Sequence, residues 1–386
     1  MSTVEGVEGV EGVEGVEGVE GVEGVEGVEG VGRFVRMPVS ALIAQREGIA
    51  GSFNSMGTAW NSAPLPGASP GQLARLDPRL RRFLFESELL SSLYFASDAT
   101  LPVGWATLWS FTENGTATGT VRPAGAWSQF LSMQPPNPGI LNGSMPVANQ
   151  LSLVAGYADL RTDRAREIVA QMSPQYAFWA SVVPLNATRH RYTLELVGLA
   201  LRLAKYVEMN FKNAMSVRRP NEYSPQIQPM IQTPTHASLP SGHSTETHAV
   251  AGVLFAVAQA AGAPPAAIQQ LREQLTMQAA RIAINRTVAG LHYPIDSMAG
   301  QFLGLAIAQY IVARALPAPQ NVEAWTFDGA NYPAGQDFSG TEIFNRATGQ
   351  RVGTPYHVRL PGPGSAFQVR PAPGLNWLWN QAVPEW

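Results

Sequence analysis

Between Asn149 and Leu316, apolar positions recur at the three-to-four-residue spacing of helices. Leu151–Tyr157, Ala165–Met172 and Pro174–Val183 read as helices with short links. Arg191–Met215 is predicted as one long helix, with a broad apolar surface of Leu194, Leu196, Leu199, Leu201, Leu203 and Tyr206. His243–Ala261, Ala266–Val288 and Asp296–Ala315 follow as three more, and the set predicts a helical bundle. Upstream, Leu76–Phe95 reads as a helix through Leu80, Phe83, Leu84, Leu89 and Leu90. The rest of 33–148 alternates short apolar segments with Pro/Gly-rich loops and predicts a wrapping region around the bundle of 149–316. Residues 317–386, rich in Pro, Gly and aromatics such as Trp377, Trp379 and Trp386, read as an irregular tail with a hairpin. The predicted fold class is all-α.

Residues 4–30 repeat Val-Glu-Gly nine times. Glycine at every third position opposes helix and the spaced glutamates oppose collapse, so residues 1–32 are expected to be a disordered, dispensable tail. The repeat also hides the charge of the remainder. The net charge is −3, but without its nine glutamates 26 basic residues face 20 acidic ones. A mildly basic folded part suits a small anionic ligand, and nothing in the chain suggests nucleic acid. Cysteine is absent, which excludes thiolate catalysis, disulfides and Cys-based zinc sites. The apolar runs Ala249–Ala263 and Ser297–Leu316 read as buried helices rather than membrane spans. No basic segment followed by an apolar one opens the chain, so no signal peptide is predicted.

Three segments carry the candidate chemistry. In the first, Lys212 lies in the last turn of the long helix, and Arg219 follows in a loop where Pro220 ends any helical continuation. Together they could clamp a tetrahedral oxyanion, although alone such a pair is more often a solvated helix end. In the second, Pro240-Ser241-Gly242-His243 opens a helix, where unpaired N–H groups and the helix dipole favour anions. Ser241 would add a hydroxyl and Gly242 a close backbone approach, while His243 could exchange protons near neutral pH. The plainer reading makes Ser241 an N-cap and His243 incidental. In the third, Arg286 ends a helix, His292 follows a Gly-Leu turn, and Asp296 comes four residues later. Asp296 could fix the tautomer of His292 and turn its other nitrogen outward; a structural His held by a capping Asp is the alternative.

Taken in order, Lys-x6-Arg-Pro, Pro-Ser-Gly-His and Arg-x5-His-x3-Asp closely resemble the three-part signature of one superfamily. It joins type-2 phosphatidic acid phosphatases, bacterial acid phosphatases and vanadium-dependent haloperoxidases. One departure is Asn285, where the family usually has Ser before the third-motif Arg. The resemblance implies a helical bundle in which Lys212, Arg219, Arg286, Ser241 and Gly242 bind the oxyanion. It further implies His243 as acid/base, Asp296 as the residue orienting His292, and His292 as either nucleophile or axial ligand of vanadium. The larger region before the motifs, and His236 five residues before Ser241, resemble the haloperoxidase branch. That branch, the reading favoured over the phosphatases, implies a vanadate cofactor and oxidation of halide by hydrogen peroxide, with bromide favoured and His236 beside the halide. Met209, where haloperoxidases commonly have Trp, and the short spacing from His243 to Arg286 resemble the phosphatases instead. A phosphatase would hydrolyse phosphate monoesters through a phosphohistidine and need no cofactor. A third reading is a non-catalytic phosphate-binding protein.

Overall fold

The structure, a computed structural model, describes residues 70–97, 105–113, 125–136, 145–172, 175–360 and 366–386. The Val-Glu-Gly repeat, expected to be disordered, lies outside them. In chain order the elements are α1 (Pro70–Arg75), α2 (Pro78–Leu90), β1 (Leu93–Ala96), β2 (Ala106–Glu113), β3 (Gly125–Gln134), α3 (Met145–Gly156), α4 (Arg161–Ala170), α5 (Tyr176–Ala180) and α6 (Arg191–Met215). There follow α7 (Pro220–Tyr223), α8 (Gly242–Ala260), α9 (Pro265–Val288), α10 (Pro294–Ala315), β4 (Gln320–Glu323), β5 (Trp325–Asp328), β6 (His357–Arg359), β7 (Ala366–Val369) and α11 (Pro373–Ala382).

Helices α6, α8, α9 and α10 form the bundle. On α6 the buried stripe is Leu196, Leu199, Ala200, Leu203, Val207 and Phe211, at helical spacing, while Tyr206 faces outward. Proline in the first turn starts both α9 and α10, where its missing N–H costs no helical hydrogen bond. Helix α10 is buried nearly all round. By length and composition it could cross a membrane, which the sequence reading of Ser297–Leu316 did not allow, but 83% of its most apolar stretch is buried inside the molecule. Its crossing with α8 is close because small residues meet there. A Cβ on Gly304 would stand 2.4 Å from the Thr245 carbonyl oxygen, and one on Gly252 2.5 Å from Ala308 Cβ. These two helices begin at the Ser-Gly-His and His-x3-Asp motifs, so their packing sets the distance between motifs.

The expectation of an all-α fold is corrected. A five-stranded sheet runs in the order β1-β2-β3-β5-β6, and β4 pairs with β7. Strands β3 and β5 are parallel, with Leu131 opposite Trp325 and Met133 opposite Phe327. Inward residues such as Leu131, Met133, Trp325 and Phe327 are buried against the helices. The sheet thus joins the wrapping region to the C-terminal segment, and pairing so remote in sequence leaves no local signal beyond short apolar runs. The C-terminal segment is accordingly strands plus α11 rather than an irregular tail.

The helix expected over Leu76–Phe95 is also different. Only Pro78–Leu90, α2, is helical there, preceded by the separate α1, and the chain then passes into β1. Leu80, Phe83 and Leu84, expected to be inward, are 48–58% exposed. The buried face instead carries Arg81, Phe85, Glu86 and Leu89. Arg81 pairs with Glu195 and Glu86 with Arg202, so ion pairs to α6 decide which side is turned in.

Candidate active site

Lys212 reaches the core from the last turn of α6, and its ammonium donates to the carbonyls of Ala237 (3.1 Å), Ser238 (3.3 Å) and Pro240 (2.5 Å). Three protons meet three carbonyls, so Lys212 holds the loop that enters α8. Burial pulls its pKa down to about 8 against the opposing charge of Glu208.

Arg219, just before α7, is buried and reaches both His236 and the His292 motif. Its Nε donates to the His236 carbonyl (3.1 Å) and its Nη1 to the Leu291 carbonyl (3.2 Å). Nη1 also lies 3.1 Å from His292 Nε2, and Nη2 lies 3.1 Å from His236 Nδ1. Arginine can only donate, so both imidazole nitrogens accept. The proton of His292 therefore sits on Nδ1, which donates to Asp296 Oδ2 at 3.1 Å. That leaves the Nε2 lone pair turned toward the cations. Asp296 Oδ2 also accepts from the Tyr293 N–H (3.0 Å), closing the first turn of α10, and from Ser238 Oγ (2.5 Å). Burial raises the Asp296 pKa to about 6 despite these bonds. Burial, followed by the charges of Arg219, Lys212, His243 and His236, holds His292 well below the usual histidine range.

Ser241 stands at the N-cap of α8, yet its side chain caps nothing and its buried Oγ has no hydrogen-bond partner. The first-turn N–H groups of α8 consequently have no side-chain acceptor. Arg286 is equally distinctive. Its Nη2 donates to Gln171 Oε1 (2.7 Å) and the Ile168 carbonyl (3.2 Å), whereas its buried Nε and Nη1 have no partner. His243 Nε2 donates to the Gln171 carbonyl at 2.9 Å. Burial, then the charge of Arg286, keeps His243 well below the usual range, so it is neutral in this arrangement.

Hydrogen bonds thus link Arg219, His236, His292 and Asp296, Gln171 links His243 to Arg286, and the charges of Lys212, Arg219, His243 and His236 all act on His292, with Ser241 and Gly242 at the start of α8. A cavity of about 530 Å³ opens onto Lys212, Arg219 and His236, with Met209, Arg218 and Glu222 on its wall. Buried donors without partners (Ser241 Oγ, Arg286 Nε and Nη1) are what a phosphate or vanadate oxyanion needs, so the residues fit either.

Three contributors lay beyond the sequence motifs. Gln171, after α4, ties His243, Arg286 and Asn285 together; Asn285 Nδ2 donates to its Oε1 at 3.1 Å. Ser238 braces Asp296. Neither carries a sequence signal, since Gln171 comes from a remote helix end and Ser238 from a loop. Glu208 does carry one: it sits one turn before Lys212 on the same helix, as a charge on an apolar face. Its carboxylate fills the space beside Gly242, where a Cβ would stand 2.6 Å from Oε1. Burial, then the charge of Glu246, raises its pKa to about 8.

Residues 194–317 match the sequence profile of the PAP2 superfamily. A curated relative, the decaprenylphosphoryl-5-phosphoribose phosphatase of Mycolicibacterium smegmatis, is 29% identical over 154 residues, covering 40% of this chain and 78% of its own length. A solved bacterial vanadium-dependent iodoperoxidase aligns at 19% identity with a TM-score of 0.32, over 42% of this chain and 47% of that one. The chain thus spans about half the length of that solved protein. Residues 194–317, the unit that carries all three motifs, are thus similar to the PAP2 superfamily.

Proposed function

We propose that this chain hydrolyses phosphate monoesters through a phosphohistidine on His292. The observation that carries the reading is a buried imidazole with its Nε2 lone pair fixed toward cations, beside buried donors that lack partners. A phosphoryl group would take hydrogen bonds from Arg286, Ser241 and the first turn of α8, with Arg219 turning from His292 to a phosphoryl oxygen. His292 Nε2 would then attack phosphorus as the ester P–O bond breaks toward the leaving oxygen. The bound anion raises the proton affinity of His243, because it offsets the Arg286 charge that depresses it. Protonated His243 gives its proton to the leaving oxygen. In the second step water attacks phosphorus, its proton passes to His243, and the P–N bond breaks to restore the Nε2 lone pair. The name of the Mycolicibacterium relative accords with this reaction class.

A second reading, vanadium-dependent halide oxidation with bromide favoured, draws on one observation: His236 Nδ1 lies 3.1 Å from Arg219 Nη2, where burial, then the charges of Lys212 and Arg219, lower its pKa to about 3. There His292 would hold vanadium and Arg219, Arg286, Ser241 and Gly242 its oxygens, with Lys212 kept to the loop carbonyls it already holds, and His236 would face the halide. Vanadate supplies the activation of hydrogen peroxide in such enzymes.

One preparation tests both readings, with p-nitrophenyl phosphate hydrolysis and bromide oxidation each measured with and without vanadate. Hydrolysis that vanadate inhibits, with an acid-labile phosphate on His292, is expected. His292→Ala should abolish it. Bromide oxidation that requires vanadate, without hydrolysis, would replace the first reading by the second. Full activity of His292→Ala in both assays would overturn both, whereas a parent protein inactive in both assays would leave the non-catalytic phosphate-binding role.

A further inference from the structure

Far along α10 from the motifs, the C-terminal strands enclose a second cation. Arg351 is fixed by a β-bridge between its backbone and that of Phe344. Its guanidinium lies 5.6 Å from the Trp325 ring and 5.8 Å from the Phe302 ring. Both terminal nitrogens are shielded from solvent and neither has a hydrogen-bond partner. Glu323, the nearby carboxylate, is already paired with Arg359 at 3.2 Å and accepts from Trp325 Nε1 at 3.2 Å. A buried guanidinium in this condition is costly, and a bound anion removes the cost.

The space around it has the form of a ligand site. Arg351 lines a cavity of about 540 Å³ together with Leu305, Gln309 and Phe344. The same three neighbours also line a second cavity of about 480 Å³, which continues between α8, α9 and α10 along Ala251, Phe255, Ala256, Leu275, Ala308 and Val312. Both volumes are of the order of small-molecule sites, roughly 300–1,000 Å³. Arg272 borders the far part, but its guanidinium stacks on Phe255 at 4.4 Å and donates to the Ala347 carbonyl at 2.8 Å. One end of the trench therefore holds the Arg351 terminal nitrogens without a partner beside the Glu323–Arg359 pair, and the apolar side chains of α8, α9 and α10 line the larger part of its length.

We propose that this trench binds an aliphatic carboxylate, with the head group bidentate on Arg351 and the chain lying between α8 and α10. Two guanidinium nitrogens side by side match the two oxygens of a carboxylate. The apolar length beyond them selects an unbranched chain over a short acid.

The test is calorimetric titration of the full chain with decanoate, acetate and decyltrimethylammonium. Saturable decanoate binding at one site is expected, with much weaker binding of acetate, which lacks the chain, and of the cation, which lacks the head. Arg351→Met keeps the packing of the stem and should weaken decanoate about tenfold or more, as for a lost charge-assisted pair. Ala256→Phe, which fills the apolar part and leaves Arg351 intact, should weaken decanoate and leave acetate unchanged. His292→Ala should bind decanoate like the parent, which separates this site from the oxyanion site. No decanoate binding, equal binding of the three probes, or undiminished binding by both Arg351→Met and Ala256→Phe overturns the proposal.

Discussion

At the scale of single residues, the site turns on where one proton sits. His292 carries it on Nδ1 because Asp296 accepts there and Arg219 donates to Nε2. Asp296→Asn keeps the shape but can present an N–H to Nδ1, which moves the imidazole proton to Nε2 and removes the lone pair. Turnover should fall about 10²–10⁴-fold with little change in melting temperature. Steady-state kinetics beside a thermal melt would check this, and unchanged turnover would mean that Asp296 does not set the tautomer. The motif residues were legible because three short patterns recur with fixed spacing. Their partners were not. Gln171 and Ser238 act through contacts that no spacing encodes, and Lys212 is occupied by three carbonyls that appear only once the loop into α8 is folded. Gly242 was read as a point of close approach for a ligand, whereas the structure fills its missing Cβ with Glu208.

At the scale of elements, helix contact does the positioning. A methyl on Gly304 would meet the Thr245 carbonyl oxygen at 2.4 Å and the Ala249 nitrogen at 3.0 Å, both backbone atoms that cannot turn aside. Gly304→Ala gains about 1 kcal/mol of helix propensity but must spread α8 from α10, at about 1–3 kcal/mol or more. The variant should melt lower and lose activity, since the crossing spaces the two histidine motifs. Gly156→Ala is its counterpart: a Cβ there has nothing within 4 Å, so the change should be neutral or stabilise by about 0.4–1 kcal/mol. Differential scanning calorimetry on the pair would settle the comparison. Equal melting points for the two variants would contradict the close crossing. The four bundle helices were readable because their apolar spacing and end residues agree. Helix α2 was misread because its buried face owes as much to Arg81 and Glu86 as to leucine, and an ion pair to a distant helix has no periodicity.

At the scale of the whole molecule, several histidines are folded in neutral form. Burial lowers His248 to about 4 and, with the charge of Arg351, His357 to about 3. A folded pKa below the unfolded one means that the stabilisation is complete above about 6.5 and is lost as pH falls through the folded value. Each of these two buried groups should cost up to about 1.4 kcal/mol per pH unit between pH 6.5 and its folded value. Urea unfolding at pH 7, 6 and 5 should show stability falling with acid, and His248→Gln should flatten that fall. A pH-independent unfolding midpoint would refute the assignment of neutral, buried imidazoles. The sheet was the part of the fold least readable in advance, because β3 finds its parallel partner β5 only after the entire bundle has intervened.

That same pairing orders events in time. Contacts among α8, α9 and α10 join neighbours in sequence and can form early, whereas bringing β5 to β3 requires closing a loop that contains the whole bundle. The helices that hold the candidate site can thus assemble before the strands beside Arg351 are in place, which makes the β3–β5 junction, rather than the local β1–β2–β3 pairing, the kinetically late contact of the sheet.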